Sequence, residues 1–233
     1  MSNRRARVRA TTMAEIRATA RELLVSKGPT AVTVNAIARD MGMSGPAVYR
    51  YYGSLEELVQ AVVAGIYHDV TAHLITVRDD YAIASPGDRL LALCRSLRSW
   101  AVGHPAEFSW AFTQGAVSLS ALGESELRRA GEQFESVFRH EFELIWETTQ
   151  YPTKPAGELP ADLLTQLQAY VKRSGTSLPP EAAEVFLSCW IRVYGLLMMD
   201  LMGQLRFAFE DAGPAYEAGL DELCSRIGIA YRS

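Results

Sequence analysis

Residues 42–58 read GMSGPAVYRYYGSLEEL, and they place three tyrosines and an arginine (Tyr49, Arg50, Tyr51, Tyr52) on a helix barely two turns long. Gly42-Met43 forms a tight turn, Ser44 is a good N-cap, and Pro46 falls in the first helical turn, where its missing N–H costs nothing. At about 100° per residue, Val48 and Tyr52 share a face suited to a core, whereas Pro46 and Arg50 point the other way. Ala47, Tyr49 and Tyr51 sit on the flanks. A core needs one face of such a helix; the outward face is free to meet something else.

Upstream, Ile16, Ala20, Leu23 and Leu24 form an apolar stripe at i, i+4, i+7 and i+8, which predicts a helix from Thr12 to the break at Gly28-Pro29. Thr33 caps a second stripe of Val34, Ile37, Ala38 and Met41, stopped by Gly42. After Gly53-Ser54 a longer helix runs through Leu55, Leu58, Val62 and Ile66. Two short helices around a glycine turn, with longer helices across them, make a helix-turn-helix, whose second helix enters the DNA major groove. Tyrosine hydroxyls suit phosphate oxygens, and Arg50 suits either a guanine edge or a phosphate. Packing of Tyr49 and Tyr51 against helix one is the structural alternative.

Charge supports a polyanionic partner. The chain of 233 residues carries a formal net charge of -4. Residues 1–53 nevertheless hold nine Arg/Lys against three Asp/Glu, and the other 180 residues hold 14 against 24. A basic head therefore sits on an acidic body. Four of those cations, Arg4, Arg5, Arg7 and Arg9, precede the first apolar stripe and would equally suit a solvated tail.

The remaining totals mainly exclude. Apolar runs such as Val193–Met199 are interrupted by Gly195 and stopped by Asp200, so no membrane-spanning helix is expected. The basic N-terminus leads into no apolar signal region, and a cytoplasmic protein is expected. Cys94, Cys189 and Cys224 read as reduced core thiols. His68, His73, His104 and His140 show no metal-ligand spacing, so no metal and no cofactor is expected. The sequence holds no Ser/His/Asp constellation, phosphate loop or dinucleotide glycines, which leaves an all-helical enzyme as the remote alternative.

Beyond residue 60 helices are predicted at 54–80, 86–103, 105–120, 124–149, 160–173, 180–208 and 213–229, giving an all-α chain without repeats. The breaks are SPGD (85–88), GHP (103–105), ALGES (121–125), YPTKPAGELP (151–160) and RSGTSLPP (173–180). Bulky residues recur in register along these helices, including Trp100, Phe108, Trp110, Phe112, Phe134, Phe138, Phe142, Trp146, Phe186, Trp190, Tyr194, Met198 and Met202. They build a helical core, and the same chemistry lines a small-molecule pocket. Trp100, His104, Phe108, Phe112, Phe138, Trp190, Tyr194 and Met198 are the candidate ligand contacts. Glu107, Gln114, Arg128, Arg192 and Asp200 are candidate polar groups, equally suited to solvent.

The stretch TVNAIARDMGMSGPAVYRYYGSLEELV (33–59) resembles the DNA-binding signature of the TetR family of bacterial transcriptional regulators, over about residues 12–60. The resemblance implies DNA contacts from Thr33, Gly45, Pro46, Ala47, Tyr49, Arg50 and Tyr51, and Ser44, at the start of the same helix, is a further candidate. One departure is Leu55, where the family usually has a lysine holding a phosphate at a helix N-terminus. The arginine-rich arm would offset that loss from the adjacent minor groove. HPAEFSWAF (104–112) and WIRVYGLLMMDLMG (190–203) are similar to the regulatory domain of the subgroup named for a Trp-His-Gly motif, with Tyr194 in the place of the histidine.

The resemblance implies a helix-turn-helix DNA-binding domain over residues 1–54 and a helical ligand-binding and dimerisation domain over 55–233. Its last two long helices would pair with their copies in a homodimer; Gly195, Leu196, Met199 and Gly203 suit such a seam and would equally suit a monomer core. The implied function is repression at a pseudo-palindromic double-stranded DNA operator, relieved by a small-molecule effector. An activator, a ligand-independent DNA binder and an adaptor that has lost DNA binding are the alternatives within the fold.

Overall fold

The structure is a computed structural model describing the backbone of residues 2–119 and 125–232 and the side chains of residues 4–112 and 125–232. Helix α1 spans Ser2–Lys27, α2 Val34–Asp40, α3 Gly45–Tyr49, α4 Leu55–Asp80 and α5 Pro86–Gly103. Helices α6 (Pro105–Leu119), α7 (Glu126–Thr149), α8 (Ala161–Ser174), α9 (Pro180–Leu201) and α10 (Gly213–Ile227) follow. No strand occurs among the described residues, as the uniform 3.6-residue patterning requires.

Three expectations need correction. Helix α1 begins ten residues before the expected Thr12, so the arginine-rich segment is helix rather than an extended arm. Arg and Ala are good helix formers, and the segment contains neither Gly nor Pro to stop it. Helix α9 ends at Leu201 rather than 208, because Gly203 takes a left-handed φ of 68° that breaks the ladder. Finally, α4 and α9 are long and apolar enough, by length and composition, to cross a bilayer. Their apolar residues instead supply core, as at Leu58, Val62, Ile66 and Val70 of α4 and Val185, Phe186 and Leu197 of α9. The expected helix ends at 120 and 124, and all of the ALGES break but Ser125, lie outside the described residues.

The chain divides into two compact units. The first comprises residues 1–69 and 104–131. Its core joins Ile16, Ala20, Leu23 and Leu24 of α1 to Ile37 of α2, Val48 of α3, Leu58 and Ile66 of α4 and Phe108 of α6, all nearly solvent-free. Arg21 of α1 bridges Asp69 of α4 and the buried Glu107 of α6, which fastens three helices by charge as well as by packing.

The second unit comprises residues 70–103 and 132–233. Helices α5, α8 and α10 pack on α9. A run of edge-to-face aromatic contacts fills its centre, from Phe134 and Phe138 of α7 through Trp190 of α9 (centroids 5.6 and 5.2 Å) and between Phe142 and Phe186 (5.1 Å). Arg89 of α5 donates to Glu141 of α7 at 2.9 Å, and the Tyr216 hydroxyl of α10 donates to the Cys94 carbonyl at 2.8 Å. Glu141 is 0% exposed, and its Oε1 has no partner among the described residues. Burial raises its carboxyl above the ordinary range even with Arg89 beside it.

Candidate nucleic-acid interface and internal cavity

The first site is built by local rules. Thr33 caps α2, its Oγ1 accepting from the Ala36 N–H at 3.2 Å. Gly42 turns the chain at a φ of 64°, and the Met43 N–H returns to the Ala38 carbonyl at 2.7 Å. Ser44 precedes α3, but its hydroxyl makes no capping bond, contrary to the sequence expectation. Pro46 has no N–H at the second helical position, and the Ala47 N–H is held at 2.9 Å by the Ser44 carbonyl. That leaves the exposed Ser44 hydroxyl uncommitted to the helix.

Helix α3 turns Val48 into the core at 1% exposure, with Tyr52 just beyond its end at 2%. The Tyr52 hydroxyl donates to the Met13 carbonyl at 3.2 Å and accepts from Arg17 at 3.0 Å. The Ala47 methyl is also covered. On the other side Tyr49 is 51% exposed, Pro46 and Arg50 are exposed, and Tyr51 is half-buried. A Cβ at Gly45 would lie 3.4 Å from Asn35 Oδ1, so this glycine lets α3 sit close to α2.

The N-terminal arginines are exposed on α1. Arg9 reaches the end of α3: its Nη1 donates to the Arg50 carbonyl at 3.0 Å, its Nη2 to the Tyr51 carbonyl at 3.4 Å, and its guanidinium lies 5.3 Å from the Tyr51 ring centroid. Sequence reasoning placed Arg9 among the DNA contacts and missed these bonds, for which no pattern gives a signal. At α4, the Ser54 hydroxyl caps the helix by accepting from the Glu57 N–H at 3.0 Å, and the Glu57 carboxylate accepts from the Gly53 N–H, one residue before the cap, at 2.6 Å. Two amides at the helix start that lacks the usual lysine are thus bonded within the chain.

The expected ligand contacts separate. His104, Phe108 and Phe112 belong to the first unit, where His104 is exposed and the two phenylalanines pack in the core with centroids 4.1 Å apart. In the second unit Phe138, Trp190 and Tyr194 line a cavity of about 20 Å³, with Leu90, Cys94, Leu97, Phe142, Phe186, Cys189, Val193 and Leu223 completing the wall. That volume holds about one water molecule. Trp190 and Tyr194 stack at 5.5 Å, one helical turn apart. Trp100 and Met198 are not part of the lining.

None of the candidate polar groups lines the cavity either. Glu107 pairs with Arg21, Arg192 with Glu222, and Asp200 accepts from Arg98 at 3.1 Å. Arg128 belongs to the first unit, and the Gln114 side chain is outside the described residues. Sequence reasoning missed the wall positions Cys94 and Cys189, which it had assigned to the core. Burial pushes these thiols up to about 12 and about 11, so both stay protonated and unreactive at neutral pH. No cluster among the described residues is suited to a metal ion.

A helix-turn-helix with a polar, tyrosine-bearing outer face, joined in one chain to a larger helical unit, defines the class of helix-turn-helix DNA-binding folds. Comparison with known proteins agrees. The family described as "Bacterial regulatory proteins, tetR family" matches residues 16–62, and "Tetracyclin repressor-like, C-terminal domain" matches residues 90–223. The chain belongs to the TetR family.

Over 96 residues the chain is 36% identical to the HTH-type transcriptional regulator Mb1846 of Mycobacterium bovis, an alignment covering 41% of this chain and 40% of that protein. It thus spans about two fifths of the length of the curated relatives it matches. Among solved structures, SCO4313, a protein described as regulatory, superposes with a TM-score of 0.67 at 25% identity, covering 94% of this chain and 98% of the other. A bacterial regulatory protein in the tetR family from Rhodococcus RHA1 gives a TM-score of 0.57 at 19% identity, with coverages of 94% and 97%. The second likeness shows the fold alone.

Proposed function

We propose that the chain is a cytoplasmic, homodimeric transcription repressor that binds a pseudo-palindromic operator and is released by a small apolar effector. The division into a DNA-binding part over residues 1–54 and a ligand-binding and dimerisation part over 55–233 belongs to this reading. The observation that carries it is helix α3, fixed in the core by Val48 while presenting Tyr49 and Arg50 outward.

Thr33, Ser44, Gly45, Pro46 and Tyr51 border that face. Ala47, being covered, acts through its backbone alone. Two heads related by a two-fold axis would enter major grooves about 34–36 Å apart. Exposed Ile191 and Met199, about two helical turns apart on α9 with Gly195 between them, form an apolar strip that supports pairing of the last helices with their copies.

An effector would enlarge the cavity at Phe138, Trp190 and Tyr194. It would act by binding one dimer geometry better than another, which limits the shift to its differential affinity. The small volume of that cavity favours, as a second reading, a DNA binder that needs no effector.

The test is fluorescence anisotropy of the purified protein on the DNA flanking its gene and on duplexes selected from a random pool, at several salt concentrations. Specific binding that Tyr49→Phe weakens, and Arg50→Ala weakens by ten-fold or more, supports the reading. Equal affinity for selected and scrambled duplexes would overturn it. A ligand screen in the same assay separates the effector-linked regulator from the ligand-independent one.

A further inference from the structure

The N-terminal turns of α1 and the end of α3 enclose an open groove of about 590 Å³ lined by Arg4, Arg5, Val8, Arg9, Arg50 and Tyr51. Four of the six lining residues are arginines, and none is acidic. Arg4 and Arg5 are exposed, with no carboxylate partner among the described residues, so their charges are not neutralised within the fold. Arg9 differs from them, since its guanidinium is held by the Arg50 and Tyr51 carbonyls and lies over the Tyr51 ring. It ties one wall of the groove to the other and adds a positive charge to the floor.

Resting on the DNA-binding reading above, we propose that this groove seats the phosphodiester backbone beside each half-site. Arg4, Arg5 and Arg50 are its phosphate contacts, and Arg9 is a positioning residue that sets the groove's width. A rigid helix about 10 Å across does not thread a minor groove about 6 Å wide, whereas guanidinium forks pair bidentately with phosphate oxygens. The segment thus contacts the outside of the duplex, and its contribution is independent of base sequence. It replaces the charge missing at Leu55 by a contact on the phosphate chain rather than by an insertion between the strands.

The experiment measures anisotropy with the full chain, a duplex selected by the wild-type protein and a scrambled duplex of equal length, from about 50 to 200 mM salt. Arg4→Ala/Arg5→Ala is expected to flatten the slope of log affinity against log salt by about two per bound head, and to weaken both duplexes alike, by ten-fold or more. Arg9→Lys keeps the charge but loses the fork on the two carbonyls. It is expected to weaken binding several-fold at every salt concentration with an unchanged slope.

An unchanged slope in the double variant, with tight wild-type binding, overturns the groove while leaving the regulator reading intact. A loss that depends on the base pairs flanking the half-site overturns it in favour of minor-groove readout. A slope change of about one in Arg9→Lys overturns the positioning role. Failure of the wild-type protein to prefer its selected duplex defeats the regulator reading and the groove together.

Discussion

Arginines are held differently at the two ends of this chain. From Arg4 to Arg17 and at Arg50, none has a carboxylate partner among the described residues; Arg9 bonds carbonyls and Arg17 bonds a phenol. In the second unit Arg89 pairs with Glu141, Arg95 with Glu217, Arg98 with Asp200 and Arg139 with Glu135 and Glu143. The first carboxylate contact on α1 comes only at Arg21, deeper in the fold. Neutral partners fix a guanidinium without cancelling its field, whereas carboxylates do both. The first arrangement keeps charge for an external anion, and the second uses it to join helices.

The contrast is open to attack at its strongest point. Arg89→Met would leave Glu141 buried without a counter-charge and should cost about 3–5 kcal/mol in urea denaturation. The effect should grow with pH. A carboxyl raised in the folded state keeps its proton there after the unfolded chain has lost it, so stability falls as pH rises from the ordinary carboxylate range through the folded value. Removing Arg89 raises that value further and should steepen the fall as pH climbs above the ordinary carboxylate range, read by comparing stability within that range and at neutral pH. A variant as stable as the wild type at both pH values would mean that the pair fastens nothing.

Tyr52→Phe removes a hydroxyl bonded to Met13 and Arg17, and should cost about 1 kcal/mol of stability. Tyr49→Phe should leave the unfolding midpoint unchanged and lower only DNA affinity. Equal effects of the two on stability would erase the distinction between the inner and outer faces of α3.

Arg95→Gln is expected to lose only about 0.5–1 kcal/mol, because both partners are about a third exposed and solvent screens them. The hydrogen bond from Arg95 holds the Glu217 carboxyl below its ordinary value. This pair's contribution is therefore present above the ordinary carboxylate range and fades as pH falls through the lowered value, opposite in sign to Glu141. Arg7→Ala should change stability by no more than about 0.5 kcal/mol.

The fold was legible where a single periodicity governs. Val48 and Tyr52 were placed inward and Arg50 outward from 100° steps alone, and the glycine turn at 42 and the breaks near 85, 103 and 150 lie at helix ends. The start of α1 was missed because an exposed helix without an apolar stripe has the same composition as a solvated tail. Ser44 was misjudged because capping depends on which N–H groups are free, and Pro46 removes one. The cavity was legible only in part. Phe138, Trp190 and Tyr194 line it, but helical register does not say which aromatic meets a void and which meets a neighbour. Glu141 carried an unused signal: it falls on the stripe of Phe134, Phe138 and Ile145, where a carboxylate is out of place unless an arginine meets it.

The helical state of the first residues has a thermodynamic consequence. A disordered tail loses about 1–2 kcal/mol per residue of backbone entropy when it is ordered on a partner. Here that ordering accompanies folding of the chain, so the opposing entropy of capture is confined largely to the arginine side chains. Binding through this segment would then show the modest heat-capacity change of docking between preformed surfaces, without the larger one that coupled folding adds.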